Sequence, residues 1–247
     1  MPYDGLGAAD LAARIKAPGC LSLVKVTSTL DVIHELAAEG APEGTVVLAD
    51  EQVAGRGRQG RRWHSPPGTG IWMGYLARPR RAREHGVVSI RVGLAIADAL
   101  DDLGVRVWVK WPNDVVAEDG RKLAGVLCES RWDGDQPRWV AVGVGINVHE
   151  PLPEEIAAFA VALCGLRPNT VRVEVLEQLV PRLLALTDAA TLSPAERAAF
   201  ARRDWLFGRT LREPVAGRAH GIDPDGGLLV ETADGVRGIR GGHVVTA

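Results

Sequence analysis

The 247-residue sequence predicts an α+β protein that ends in a small β-barrel. Three observations predict it. Up to about residue 203, segments with the two-residue alternation of strands are interleaved with segments whose apolar residues recur at helical spacing. From Gly208 onward the stretch TLREPVAGRAHGIDPDGGLLVETADGVRGIRGGHVV holds short strands and tight turns, five strands in about forty residues, which is a barrel pattern. The 46% hydrophobic content is enough to bury one large core with a small one attached. The expected division is 1–206 and 207–247.

Taken in order, residues 1–20 read as a short helical or loosely ordered lead-in. Residues 21–26 (LSLVKV) alternate as a half-buried strand. In TSTLDVIHELAAEG, Thr27 or Ser28 can cap a helix whose stripe is Val32, Ile33 and Leu36 and whose stop is Gly40. Residues 45–52 read as a buried strand that turns polar at Glu51 and Gln52, and residues 70–77 as another. Residues 87–104 place Val88, Val92, Ala95, Ile96, Ala99, Leu100 and Leu103 at core-helix spacing. Val105, Val107 and Val109 alternate in a strand ended by Pro112, leaving Lys110, Asn113 and Asp114 at a strand terminus. Asp119 and Gly120 signal one hairpin turn and Asp133 and Gly134 a second, whose return strand contains Gly143 and Gly145. Glycine inside a strand marks a bulge or a close approach. Residues 153–203 read as helical, with Ile156, Phe159, Ala160 and Leu163 in the first segment, and with Ser193, Pro194 and Glu196 opening the last in the manner of a capping box.

Composition excludes several classes. Lysine and arginine total 29 against 31 acidic residues, a net charge of -2, which argues against an extended nucleic-acid interface. Cys20, Cys128 and Cys164 show no CxxC spacing, so neither a disulfide framework nor a thiolate metal site is indicated. The histidines show no HxxxH or HExxH spacing, and there is no GxSxG elbow or GxxxxGK[ST] loop. No apolar run approaches the roughly 18 to 20 residues that span a bilayer, and the N-terminus lacks the pattern of an export signal, so a cytoplasmic protein with no membrane partner is expected.

The densest local signal is GRGRQGRR at residues 55–62, with four arginines and three glycines. Glycine lets a backbone approach a ligand, and arginine presents a planar fork of donors for phosphate or carboxylate. An anion-handling loop, a solvated basic turn and a single-stranded nucleic-acid patch all fit these eight residues. The formal GxGxxG within them lacks a strand-to-helix context. The connection 55–68 is long for a structureless link, and such links tend to bind something. Gln52, Arg56, Arg58, Arg61, Lys110, Asn113, Asp114, Lys122 and Asn147 all fall at strand ends or on this connection. So many cations with almost no acidic partner beyond Asp114 are costly to gather unless a polyanion binds, and a nucleoside triphosphate meets that need. Asn147 reads equally as a base reader or an ordinary turn asparagine.

The blocks ADEQVAGRGRQGRRWHSPPGTGIWMGYL, VKWPNDVVAEDGRKLAGVLCE and VGVGINV resemble the signature blocks of biotin protein ligases, and GIDPDGGLLVETADGVRGIRGGHV is similar to their C-terminal SH3-like domain. The resemblance runs from about Thr27 to the end of the chain. It implies a mixed β-sheet with helices on one side, of the class II synthetase-like biotin and lipoate ligase type, plus the SH3-like barrel. It also implies a two-step reaction in which biotin and ATP give biotinyl-5′-AMP and a lysine of a biotin carboxyl carrier protein then takes the biotin.

Carried over by position, Ser28, Thr29 and Gln52 would hold the biotin ureido group. Gly55, Arg56 and Gly125 would line the biotin site, with the Arg56 segment closing over it. Arg58, Arg61, Trp63, Lys110 and Asn113 would serve the nucleotide, and Asn147 would read adenine. Lys122 would bridge the biotin carboxylate and the α-phosphate, making Arg58, Lys122 and Asp114 the catalytic group. Mg²⁺ would accompany ATP, with Asp114 its leading ligand. Leu30 departs from the small or polar residue usual after the Ser-Thr pair. The residues ahead of the first strand are too few for a winged-helix domain, so a short form that binds no DNA is expected. A lipoate or other acyl-adenylate-forming ligase is the alternative within the fold.

Overall fold

The computed structural model describes residues 3–78, 85–134 and 136–247. The lead-in folds as α1 (Ala8–Ile15), and β1 (Gly19–Val26) starts two residues earlier than its alternation suggests. Then come α2 (Thr29–Ala38), β2 (Thr45–Gln52), β3 (Gly70–Ala77), α3 (His85–Asp102), β4 (Trp108–Lys110), β5 (Asp114–Val116), β6 (Lys122–Asp133) and β7 (Gln136–Asn147). These seven strands form one mixed sheet in the order β1-β2-β3-β7-β6-β5-β4, in which only β1 and β2 run parallel. The parallel pair follows from the intervening helix, because a crossover of that length lets the chain return in the same direction.

Strand alternation gives the sheet two unlike faces. One buries Val46, Leu48, Met73, Tyr75, Val142, Val144 and Ile146 against α1, α3 and a later helix at Arg172–Leu184, and this is the main core. The other carries α2 alone, which packs Leu30, Ile33 and Ala37 on Val47, Leu76 and Ala141. The helices therefore gather mainly, and not wholly, on one side. Beyond α2 the second face holds glycines where the first holds valines: Gly74 pairs with Gly143, and Gly145 with Gly125. At Gly74 a Cβ would lie 2.6 Å from Ile33 Cγ1 and 2.8 Å from Thr29 O, so α2 reaches the sheet only because that position is bare.

The helical stretch after β7 is more broken than its periodicity predicts. It yields α4 (Glu154–Ala157), a 3₁₀ turn at Leu163–Gly165, α5 (Arg172–Leu184) and α6 (Pro194–Ala201). Between α4 and the turn the backbone leaves the helix to pair with β6, since Lys122 N donates to Phe159 O at 2.8 Å and Val161 N to Lys122 O at 2.9 Å. Phe159, read into a helical segment, is 58% exposed as a result. The capping box at Ser193 and Glu196 forms as read. β4 is likewise shorter than the run from Val105 predicts, although Val105 and Val107 are buried.

The remaining strands, β8 (Thr210–Glu213), β9 (Gly217–Ile222), β10 (Leu228–Thr232), β11 (Gly235–Ile239) and β12 (Val245–Thr246), make a five-stranded antiparallel sheet in the order β11-β10-β9-β8-β12, as expected of an SH3-like unit. It is fastened to the larger sheet where β4 gives way to β5. Trp111 Nε1 donates to Gly226 O at 2.8 Å, and Leu192 N to Pro224 O at 2.7 Å. No described helix is long and apolar enough to cross a membrane.

Asp204 sits at this junction, bridged to Val109 with Oδ1 accepting from Leu206 N at 2.9 Å and Oδ2 buried without a hydrogen-bond partner. Burial pushes its carboxyl up to about 6, against the hydrogen bonds from Leu206 and Phe207. A folded carboxyl that holds its proton longer than the unfolded one costs stability as pH rises from about 4 through about 6. Asp204→Asn keeps the acceptor for Leu206 and removes the charge. Urea denaturation is expected to find the variant more stable than the parent by about 2 kcal/mol at pH 8, with the difference gone at pH 4.

Candidate active site

A cavity of about 530 Å³ opens over the glycine patch, on the α2 side of the sheet. Its walls come from the N-terminus of α2, the arginine-rich connection, the β4 to β5 corner, the start of β6 and the end of β7. Of the residues expected at the site, Ser28, Thr29, Gln52, Arg56, Arg58, Arg61, Trp63, Lys110, Asn113, Asp114, Lys122, Gly125 and Asn147 all line it. Gly55 does not. A Cβ there would stand 2.5 Å from Trp63 O and 2.8 Å from Ser65 Oγ, so its place is a backbone crossing behind the wall.

One end of the cavity is neutral and polar. Ser28 Oγ caps α2 by accepting from Leu30 N at 3.3 Å. Gln52 Oε1 accepts from Thr29 N at 2.9 Å and from Thr29 Oγ1 at 3.1 Å, while Gln52 Nε2 donates to Ser65 Oγ at 2.8 Å. Ser28, Thr29, Gln52 and Ser65 are all buried, so their orientation is fixed by one another. Ser65 belongs to this network and was not singled out in the sequence, where a serine between Trp63 and two prolines reads as turn. Leu30 fills the space under Gly143, where a Cβ would come within 3.1 Å of it, which accounts for an apolar residue at that place.

The connection 55–68 is more regular than a structureless link. Trp63 N donates to Gly55 O at 2.8 Å and Gly57 N to Arg61 O at 2.7 Å, closing a small antiparallel loop tipped by a 3₁₀ turn at Arg58–Gly60. Gln59 and Gly60 take positive φ values of 58° and 72° there. The loop delivers Trp63 onto the sheet: a Cβ on Gly145 would lie 2.4 Å from its indole, and one on Gly125 2.9 Å. Trp63 meets Trp72 edge-on at 6.5 Å between ring centroids, and its Nε1 is buried with no hydrogen-bond partner.

The other end is cationic. Lys122 Nζ lies 5.0 Å from the Trp63 ring centroid and 2.6 Å from Asp114 Oδ1. Arg58 donates to Asn113 Oδ1 at 3.2 Å, and Asn113 Nδ2 in turn donates to Val126 O at 2.7 Å, which ties the β4 to β5 corner to β6. Lys110 Nζ rests 5.1 Å over the Trp205 ring; burial pulls its pKa down, helped by Lys122 and Arg209 and opposed by Asp114. Arg61 is exposed and donates to Gln59 Oε1 at 3.3 Å. Asn147 is buried, with Nδ2 directed at Lys122 O and Val161 O, both 3.4 Å away.

The expectation that Asp114 is nearly the only acidic partner fails at Arg56, which pairs with Asp31 at 2.6 Å and Glu129 at 3.1 Å. Those acids lie far from Arg56 in sequence, on α2 and β6, so spacing gave no sign of them. The cavity also draws Ile156 and Phe159 from the segment after β7, and Gly242, His243 and Val244 from the C-terminal sheet. The sequence read the first pair into a helical segment and the second group into the terminal run of short strands and tight turns.

Comparison with known proteins places this geometry. Residues 21–147 match the biotin/lipoate A/B protein ligase family and residues 208–245 the biotin protein ligase C-terminal domain. The chain belongs to that ligase family. Among curated family members it is 34% identical over 230 residues to the bifunctional ligase/repressor BirA of Bacillus subtilis, covering 87% of this chain and 70% of that protein. It is 33% identical over 238 residues to the biotin--[acetyl-CoA-carboxylase] ligase of Mycobacterium tuberculosis, covering 89% and 85%. Among solved structures, the Aquifex aeolicus biotin protein ligase in complex with biotin and ATP superposes with a TM-score of 0.77 at 27% identity, covering 93% of this chain and 99% of that one. The expected fold, sheet and C-terminal unit are those of the family.

A methyl group on the glycine floor tests the placement of Trp63. Gly145→Ala is expected to drive the indole off the sheet into water. The difference in emission between the variant and the same protein carrying Trp63→Phe should then shift to the red, with far-ultraviolet circular dichroism unchanged.

Proposed function

We propose that this member of the ligase family activates biotin with ATP to biotinyl-5′-AMP and transfers the biotinyl group to a lysine of a carrier protein. One observation carries the reading: a single cavity joins a rigid neutral hydrogen-bonding end at Thr29 and Gln52 to a cationic end at Arg58, Lys110 and Lys122, across a glycine floor. A ureido ring needs fixed donors and acceptors. The dithiolane ring of lipoate offers none worth matching, and that favours biotin within the fold.

In the first step a biotin carboxylate oxygen attacks the α-phosphorus, and the bond from that phosphorus to the pyrophosphate leaving group breaks. Two anions have to meet, so permanent cations that need no reorganisation supply much of the rate. Lys122 stands beside Gly125 on the floor between the two ends and serves both the carboxylate and the α-phosphate oxygens. Arg58, Arg61 and Lys110 attract the remaining phosphates, Lys110 as a cation already partly desolvated. Trp63 offers a ring face to the nucleotide, and the buried Asn147 reads its base. Ser28, Thr29 and Gln52 hold the ureido group.

Magnesium arrives with nucleotides through one or two carboxylates plus phosphate oxygens, not through an all-protein cage. The donor set fits that habit: Asp114 is a carboxylate on the cavity wall, and the described residues contain no cluster of three metal-binding side chains. Asp114 would hold the ion, which supplies charge neutralisation of the phosphates when bound.

In the second step the acceptor amine attacks the acyl carbon, the bond from that carbon to the AMP oxygen breaks, and AMP leaves. The amine has to arrive unprotonated. Arginine cannot take its proton, and Asp114 beside Asn113 orients it. The division of labour follows the chain division at 206 and 207, with the first part carrying the chemistry and the second lending Gly242, His243 and Val244 to the cavity wall.

Biotin-dependent exchange of labelled pyrophosphate into ATP tests the reading; purified, folded protein without that exchange would overturn it. Lys122→Gln is expected to lower the exchange rate by about 10²-fold or more, as loss of a preorganised charge does. Asp114→Asn should slow transfer to a carrier protein from added biotinyl-5′-AMP, and normal transfer would remove Asp114 from the second step.

A further inference from the structure

The guanidinium of Arg56 has all three nitrogens engaged by protein carboxylates. Nη1 donates to Asp31 Oδ1 at 2.6 Å, Nε to Glu129 Oε1 at 3.1 Å and Nη2 to Glu129 Oε2 at 3.2 Å. The bond to Glu129 is the bidentate fork that gives arginine pairs their geometric definition. The carboxylates are themselves held. Asp31 Oδ2 accepts from Thr27 Oγ1 at 2.9 Å, and Glu129 Oε2 lies 3.0 Å from His34 Nε2.

The tautomer of His34 is set by its neighbour. Trp139 Nε1, a donor only, points at His34 Nδ1 at 2.9 Å, so Nδ1 accepts and Nε2 carries the proton offered to Glu129. Burial raises the pKa of Glu129, but the hydrogen bonds from Arg56 and His34 outweigh it and hold the carboxyl below its usual range. A four-member chain, Trp139, His34, Glu129 and Arg56, therefore runs from the β7 indole to the root of the arginine-rich loop.

We infer that the guanidinium of Arg56 positions the loop and does not itself bind biotin, and that Asp31, Glu129, His34 and Trp139 are the clasp through which it seats the loop over the neutral end of the cavity. This rests on the reading of that end as the biotin site. The anchors are not arbitrary. Asp31 is in the first turn of the helix whose N-terminus presents Ser28 and Thr29, and Glu129 is on the strand that carries Lys122 and Gly125. The loop root is thus fixed to the same elements that hold the proposed biotin contacts. Its immediate consequence is the crossing at Gly55, where Trp63 O and Ser65 Oγ come so close that no Cβ fits. That crossing positions Ser65 against Gln52 and Trp63 against the floor. A guanidinium free to turn toward ligand would have to give up both carboxylates.

Arg56 and its two carboxylates are part-exposed, so loss of both pairs is expected to cost about a factor of ten. In the double variant Asp31→Asn, Glu129→Gln, KM for biotin in pyrophosphate exchange should rise about tenfold while KM for ATP stays within about twofold. Trypsin should cut at Arg58, Arg61 or Arg62 faster than in the parent, with no substrate added. The proteolysis needs no enzymatic activity, so it reports on the clasp even if the exchange reaction is absent. If the double variant does not fold, Asp31→Asn alone at the rim should give the same pattern at about threefold. The inference is overturned if Arg56→Met raises KM for biotin while the carboxylate variants leave both KM and the tryptic rate at parental values, because Arg56 would then touch biotin directly.

Discussion

The absence of side chains at the centre of one sheet face is the constraint on which the rest depends. Valines and isoleucines of β3, β6 and β7 point into the main core, and the alternate positions on the other face include Gly74, Gly125, Gly143 and Gly145. Glycine in a strand interior weakens it, and here the cost is borne by three strands that pair over long runs. What the chain obtains is depth. Helix α2 closes on Gly74, Leu30 drops over Gly143, and Trp63 lies on Gly125 and Gly145. A methyl group at any of these would crowd the side chain or backbone that now rests there.

Above that floor the charges are sorted by how completely they are paired. Arg56 is locked between two carboxylates, Lys122 meets one, and Arg58 leans on a neutral amide. This gradient runs from the neutral end of the cavity to the cationic end. It suits a reaction in which one substrate is recognised by shape and hydrogen bonds and the other by charge.

Much of this was legible in the sequence. Strand alternation and turn dipeptides placed nearly every strand, the capping box placed α6, and the glycines at 143 and 145 announced a close approach that Trp63 and Leu30 make. The residues of the cavity were recoverable because strand ends collect at one edge of a sheet and because the loop carries its cations in a run. What was hidden was partnership across the fold. Asp31 and Glu129 look like helix-surface and strand-end acids until α2 and β6 bring them to Arg56. Phe159 looks like part of a helix because its spacing is helical, yet the backbone of Lys122 captures its neighbours and turns it outward. Local periodicity reports which face a residue would take if its element continued, and it cannot report that another strand will end that element early.

The bond from Trp111 to Gly226 has a consequence for anyone dissecting the chain. Trp111 is almost wholly buried, and its indole N–H finds its acceptor in the second sheet, next to Val87 and Ile90 of α3. A fragment cut near residue 206 would keep Lys110, Asn113 and Asp114 on a corner whose central tryptophan had lost both its acceptor and its cover. The two sheets are therefore halves of one workpiece. A minimal biotinylating domain cannot be had by trimming the small one; it would need a redesigned corner, with a donor-free residue in place of Trp111 and polar groups over the helix it exposes.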